Sequence, residues 1–105
     1  MLDRIDQLIQ RSDIRHLCEK YGIIEMSVFG SILREDFNPK SDIDFLVTFR
    51  EGSTHTLFDV ARIKTELENL LQRKVDFINK KAIERSQNYL RKNAILNNTV
   101  IIYAA

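Results

Sequence analysis

The chain is poor in the residues that break or cross-link a fold: its 105 residues include one proline, three glycines and a single cysteine. So little Pro and Gly excludes a collagen-like or low-complexity chain, and 44% hydrophobic residues exclude the apolar-poor composition of a disordered segment. One cysteine excludes an intramolecular disulfide, and Cys18, beside Leu17 in a helical pattern, reads as a packed thiol. With no Cys/His cluster, and with His16 and His55 lacking partner spacing, zinc is not expected. The longest apolar run, Val100 to Ala105, falls far short of a membrane span, and Met1 to Asp6 holds no secretory apolar region; a cytoplasmic protein without membrane contact is expected. Charge of one sign is missing as well. Sixteen Lys and Arg against fifteen Asp and Glu leave a formal charge of +1, so no global field draws the chain onto nucleic acid, and no direct nucleic-acid partner is expected. The length suits one domain over residues 1–105 with one core, and no separate acceptor-binding domain.

What is there is patterned. Leu2, Ile5, Leu8 and Ile9 recur at helical spacing, Ser12-Asp13 can cap a new start, and Ile14, Leu17, Cys18 and Tyr21 continue the period until Gly22 stops it. From Ile23 to Phe29 the period becomes two, with Ile24, Met26 and Val28 on one side of a strand that runs into Gly30-Ser31. Residues 34–41 form a polar loop after a short helical turn. A second strand, Asp42 to Phe49, sets Ile43, Phe45, Val47 and Phe49 on one face and Asp42, Asp44, Leu46 and Thr48 on the other. Thr56 and Asp59 can cap a helix whose apolar stripe is Leu57, Val60, Ala61, Ile63, Leu67, Leu70 and Leu71. A third strand, Val75 to Asn79, puts Asp76 and Ile78 on one face. Residues 80–96 are predicted helical, with Ile83, Tyr89, Leu90, Ala94 and Ile95 as anchors, and Val100 to Tyr103 as a closing strand. The order predicts an α/β (α+β) fold, a mixed β-sheet flanked by helices.

Two aspartates on one face of a strand, roughly 6 to 7 Å apart, repel each other and call for a compensating charge. Mg²⁺ supplies it naturally, because it takes hard oxygen ligands and commonly binds one or two carboxylates together with substrate phosphates. Asp76 on a neighbouring strand would complete a site for two ions, one activating an attacking oxygen and the other stabilising a leaving group. Gly30 lets the backbone approach a phosphate closely, and the amides and the Ser31 hydroxyl that follow can donate to it. Each of these features also has a plain structural reading. Asp42, Asp44 and Asp76 could be solvated strand residues, Gly30-Ser31 a tight turn, and Arg34 and Lys40 ordinary loop charges.

Taken together, Ser27-Val28-Phe29-Gly30-Ser31, Arg34-Glu35-Asp36-Phe37, ten residues separating Ser31 from Asp42 in Ser41-Asp42-Ile43-Asp44-Phe45, and Lys74-Val75-Asp76-Phe77-Ile78 resemble the DNA polymerase beta-like nucleotidyltransferases. The closest resemblance is to the minimal nucleotidyltransferases, the antitoxins of HEPN/MNT toxin-antitoxin systems, and it covers nearly the whole chain. It implies an enzyme that uses Mg²⁺ (two ions) and ATP, with Asp42, Asp44 and Asp76 as catalytic metal ligands. Gly30, Ser31, Arg34 and Ser41 would hold the nucleotide. Glu35 departs from the Arg-Gly that many relatives carry after the Gly-Ser turn.

The resemblance further implies transfer of AMP from ATP to a tyrosine of a cognate HEPN-type ribonuclease toxin, in a hetero-oligomer, with release of pyrophosphate. Two alternatives stand beside it: an antitoxin that neutralises by binding alone, and transfer to a small molecule such as an aminoglycoside.

Overall fold

The computed structural model describes residues 3–105; Leu2, included in the first helical pattern, lies outside the described residues. Helix α1 (Asp3–Ile9) buries Ile5 and Leu8, and α2 (Ser12–Tyr21) buries Ile14, Leu17 and Cys18, as their spacing predicts. Gly22 ends α2 in the left-handed region, where its N–H donates to the carbonyls of Cys18 and Glu19. The predicted cap at the start of α2 is corrected. Arg11 is the N-cap residue and has no side-chain cap, while Asp13 inside the first turn takes a two-point ion pair from the Arg11 guanidinium at 2.9 and 2.6 Å.

Four strands form one sheet in the order β3-β2-β1-β4. Strand β1 (Ile23–Phe29) lies antiparallel to β2 (Ile43–Phe49) and to β4 (Thr99–Ala104), whereas β3 (Val75–Asn79) is parallel to β2. That parallel pair is joined by α3 (Leu57–Leu71), the crossover that parallel neighbours need. The Thr56 hydroxyl and the Asp59 carboxylate cap each other's backbone at its start, as predicted. Short helix α4 (Lys80–Glu84) and α5 (Tyr89–Leu96) follow β3.

The main core lies between α1, α2, α3 and the sheet face carrying Met26, Val28, Phe45 and Val47, all fully buried. On the opposite face Leu46 packs with Ile83 of α4 and Ile95 of α5 in a smaller cluster. Asp44 belongs to the Leu46 face by strand alternation, and Asp76 shares that face with Ile78 on β3. The pair α4–α5 therefore walls the same side of the sheet that carries the carboxylates.

Several sequence expectations shift. A bulge between Ile23 and Glu25 takes Ile24 out of the inward set and buries Ile23 in its place. Leu57 is 88% exposed and Ala61 is exposed, so the stripe of α3 narrows to Ile63 and Leu67, with Leu70 and Leu71 packed partly against the core. The helix predicted over 80–96 is broken at residues 85–88, where Asn88 caps α5 through the Arg91 N–H. Of its five anchors only Ile83 and Ile95 are buried; Tyr89, Leu90 and Ala94 face outward. Among the described residues no helix is long and apolar enough to cross a membrane.

Candidate active site

Strand β2 begins at Ile43, so Asp44 is held by the sheet on both sides, whereas Asp42 stands one residue before it at the end of the loop. Asp44 pairs with Asp76 across the parallel β2–β3 ladder and with Phe29 across the antiparallel β1–β2 ladder. This register brings the Asp44 and Asp76 backbones to roughly the 4.8 Å spacing of neighbouring strands, and sequence alone left it open. Asp44 is half-buried, while Asp42 and Asp76 are exposed. Burial, and then the charges of Asp76 and Asp42, push the Asp44 carboxyl above its ordinary value, with Arg34 pulling the other way. No ion pair among the described residues neutralises any of the three carboxylates.

Gly30 follows β1 with φ +76° and opens a single 3-10 turn, Gly30–Leu33. A Cβ built on it would lie 2.3 Å from the Asp44 Oδ2, so the turn can pass this close to the carboxylate only because residue 30 has no side chain. Ser31 donates from its hydroxyl to the Asp42 carbonyl at 3.3 Å, linking the turn to the loop's far end. Arg34 is exposed and its Nε donates to Asp36 at 3.2 Å, in a pair so solvated that it holds the side chain only weakly. The Ser41 hydroxyl accepts from the Asn38 N–H at 3.1 Å and thus closes its own turn. Glu35 is exposed. A cleft of about 520 Å³ opens beside Gly30 and Arg34, walled by Phe29, Leu33, Ala94, Ile95, Asn98 and Thr99. Its size falls in the range of small-molecule sites.

Among the described residues, no three His, Cys, Asp or Glu side chains close into a ready-made metal cage. The donor set nonetheless suits Mg²⁺. Carboxylate oxygens without ion-pair partners, with the charges of Asp76 and Asp42 bearing on Asp44, are the ligands this ion uses when substrate phosphates supply the rest of its shell. His16 is exposed and His55 stacks on Phe49 at 3.8 Å between ring centroids, so neither histidine joins the site. Cys18 is fully buried and its thiol is pushed up to about 12, which makes it an inert packing group.

Three residues of the site's surroundings were not singled out by sequence. Arg73 donates from Nη1 to the carbonyls of Asn38 and Ser41, at 3.0 and 2.8 Å. Arg4 donates from Nε to Ile32 O at 2.8 Å and from Nη2 to Arg34 O. Glu68 accepts from the Val75 N–H at 3.1 Å, fixing the start of the strand that carries Asp76. All but the last join residues 28 or more apart in the chain, which no local pattern could reveal.

The structure thus sets the carboxylates of Asp44 and Asp76 on neighbouring strands of a mixed sheet, beside the Gly30-Ser31 turn. Comparison with known proteins gives the class: the family model described as "Nucleotidyltransferase domain" matches residues 13–102. A Methanocaldococcus jannaschii protein carrying the provisional name of a protein adenylyltransferase is 41% identical over 81 residues, 77% of this chain and 81% of that protein. A solved structure provisionally described as a minimal nucleotidyltransferase superposes with a TM-score of 0.68 at 33% identity, over 91% of this chain and 93% of the other. A tri-AMPylated Shewanella oneidensis HEPN toxin in complex with MNT antitoxin contributes a further likeness of fold, with a TM-score of 0.63 at 16% identity over 96% of this chain and 73% of that one. The chain belongs to the nucleotidyltransferase domain family, within which its fold is that of the minimal nucleotidyltransferases.

Proposed function

We propose that this nucleotidyltransferase is an antitoxin that transfers AMP from ATP to a tyrosine hydroxyl of a HEPN-type ribonuclease toxin. The observation that carries the reading is the in-register placement of Asp44 and Asp76 beside Gly30. The relative named as a protein adenylyltransferase and the fold shared with an MNT antitoxin in complex with an AMPylated HEPN toxin support the choice of acceptor.

In this reading Asp42 and Asp44 would hold Mg²⁺ together with the triphosphate, and Asp76 would complete the ligand set for a second ion. Ions bound there would supply charge to offset that developing on the α-phosphate and would lower the cost of deprotonating the acceptor oxygen. Gly30 admits the phosphates to the backbone of the 3-10 turn, where the amides and the Ser31 hydroxyl donate to them. Arg34, which lines the cleft beside Gly30, would be released from its solvated pair with Asp36 to meet the added negative charge. The tyrosine oxygen attacks the α-phosphorus, its proton passes toward Asp76, and the bond to the β-phosphate oxygen breaks to release pyrophosphate. Ser41 contributes by shaping the turn that leads into Asp42.

The test is direct. Purified chain mixed with its HEPN partner, Mg²⁺ and ATP should increase the partner's mass by one or more AMP units, and Asp42→Asn combined with Asp44→Asn should abolish the increment. A partner that binds the chain but gains no mass would overturn the reading. Full neutralisation by the double variant would show that binding alone suffices.

A further inference from the structure

Residues 34–42 contain no helix or strand, yet they separate the turn proposed to bind phosphate from Asp42, and Asp42 lies outside the β2 ladder. A loop of this kind fixes a side chain only if something else fixes the loop. Two arginines do so. Arg4, from α1, donates to the carbonyls of Ile32 and Arg34 at the loop's start. Arg73, just beyond the left-handed cap Gln72 of α3, donates to the carbonyls of Asn38 and Ser41 at its end.

Both guanidiniums also lie over the ring of Phe37, at 4.7 Å for Arg4 and 4.5 Å for Arg73, and Phe37 is the loop's own partly buried apolar residue. Bringing two cations to one ring is unfavourable by itself, and the four carbonyl oxygens they bind offset that repulsion. The helices supplying the arginines are anchored in the main core through Ile5, Leu8, Ile63 and Leu67. The loop is thereby referenced to the sheet's far side, and not merely to its own turns.

We propose that Arg73, with Arg4 and through Phe37, is a positioning residue that sets where Asp42 stands relative to the Gly30-Ser31 turn and Asp44. This rests on the nucleotide- and metal-binding role proposed for those residues. A planar guanidinium is required at position 73, because one nitrogen serves two carbonyls while the plane covers the ring; a lysine keeps only the charge.

The probe is a non-hydrolysable ATP analogue titrated calorimetrically with Mg²⁺ and, separately, with EDTA. Arg73→Met should lose roughly 10-fold or more in the Mg²⁺-dependent affinity, as losing a group that orients a metal ligand does, while metal-free affinity stays within a small factor of the unaltered chain. Arg73→Lys should recover only part of the loss, and amide hydrogens of residues 34–42 should exchange faster in both variants. Phe37→Leu, which leaves both arginines in place, gives the same pattern in weaker form and serves if Arg73→Met does not fold. A folded Arg73→Met with unchanged Mg²⁺-dependent affinity overturns the inference, and so does equal weakening with and without metal, which marks a merely structural role. If the unaltered chain shows no Mg²⁺-dependent affinity, the proposed function itself fails and takes this inference with it.

Discussion

Gly30→Ala separates the stability of this fold from its chemistry. Two costs arise at that position. The φ of +76° places any L side chain in the left-handed region, which costs roughly 1 to 2 kcal/mol, or a Tm lower by roughly 5 to 15 °C in a domain this small. The second cost is steric, since the new Cβ would lie 2.3 Å from Asp44 Oδ2 and must move it by about 1 Å to reach an ordinary contact. The atom in the way is the end of a side chain, so the carboxylate yields cheaply and the fold survives. Catalysis does not share that tolerance: displacing a reacting or ligating group by about 1 Å costs on the order of 100-fold in rate. Gly22→Ala is the internal control. Its φ is +70°, but a Cβ there meets nothing within 4 Å, so it carries the backbone cost without the clash. Thermal melts and pyrophosphate release with a HEPN acceptor, measured side by side, should show similar Tm losses in the two variants and a large loss of turnover only in Gly30→Ala. Equal turnover in the two would refute the argument that this glycine exists to make room for Asp44.

Asp44→Asn should raise the Tm of the metal-free protein at neutral pH while abolishing transfer. The folded Asp44 carboxyl titrates above its unfolded value, so stability is lost as pH rises through that interval and stays lost above it; the advantage of the variant should therefore vanish below about pH 3, which melts in EDTA across pH would check. Thr56→Ala removes half of a capping box and should cost about 1 kcal/mol in denaturant unfolding. Nucleotide transfer should be unaffected, because the cap lies beyond the carboxyl end of β2, away from Asp44.

The local patterns of this chain determined most of its elements. Period-two alternation in 43–49 and 75–79 placed Asp44 and Leu46, and Asp76 and Ile78, on common faces, because side-chain direction in a strand depends only on residue parity. Gly22, Thr56 and Asp59 announced helix ends for equally local reasons. Where packing decides, sequence misled. Leu57, Tyr89 and Leu90 are apolar and at helical spacing, but they stand in the first turns of α3 and α5 and are left exposed, and the bulge in β1 exchanged Ile23 for Ile24. The site divides in the same way. Residue identity and spacing supplied Asp42, Asp44, Asp76 and Gly30. Only the parallel register of β2 and β3 set Asp76 opposite Asp44, since a slip of one residue would have turned it to the other face. Only tertiary structure brought Arg4 and Arg73 to the two ends of one loop, because their partners lie 28 to 35 residues away and the contacts are to backbone carbonyls, which leave no mark on the identity of the residues that provide them.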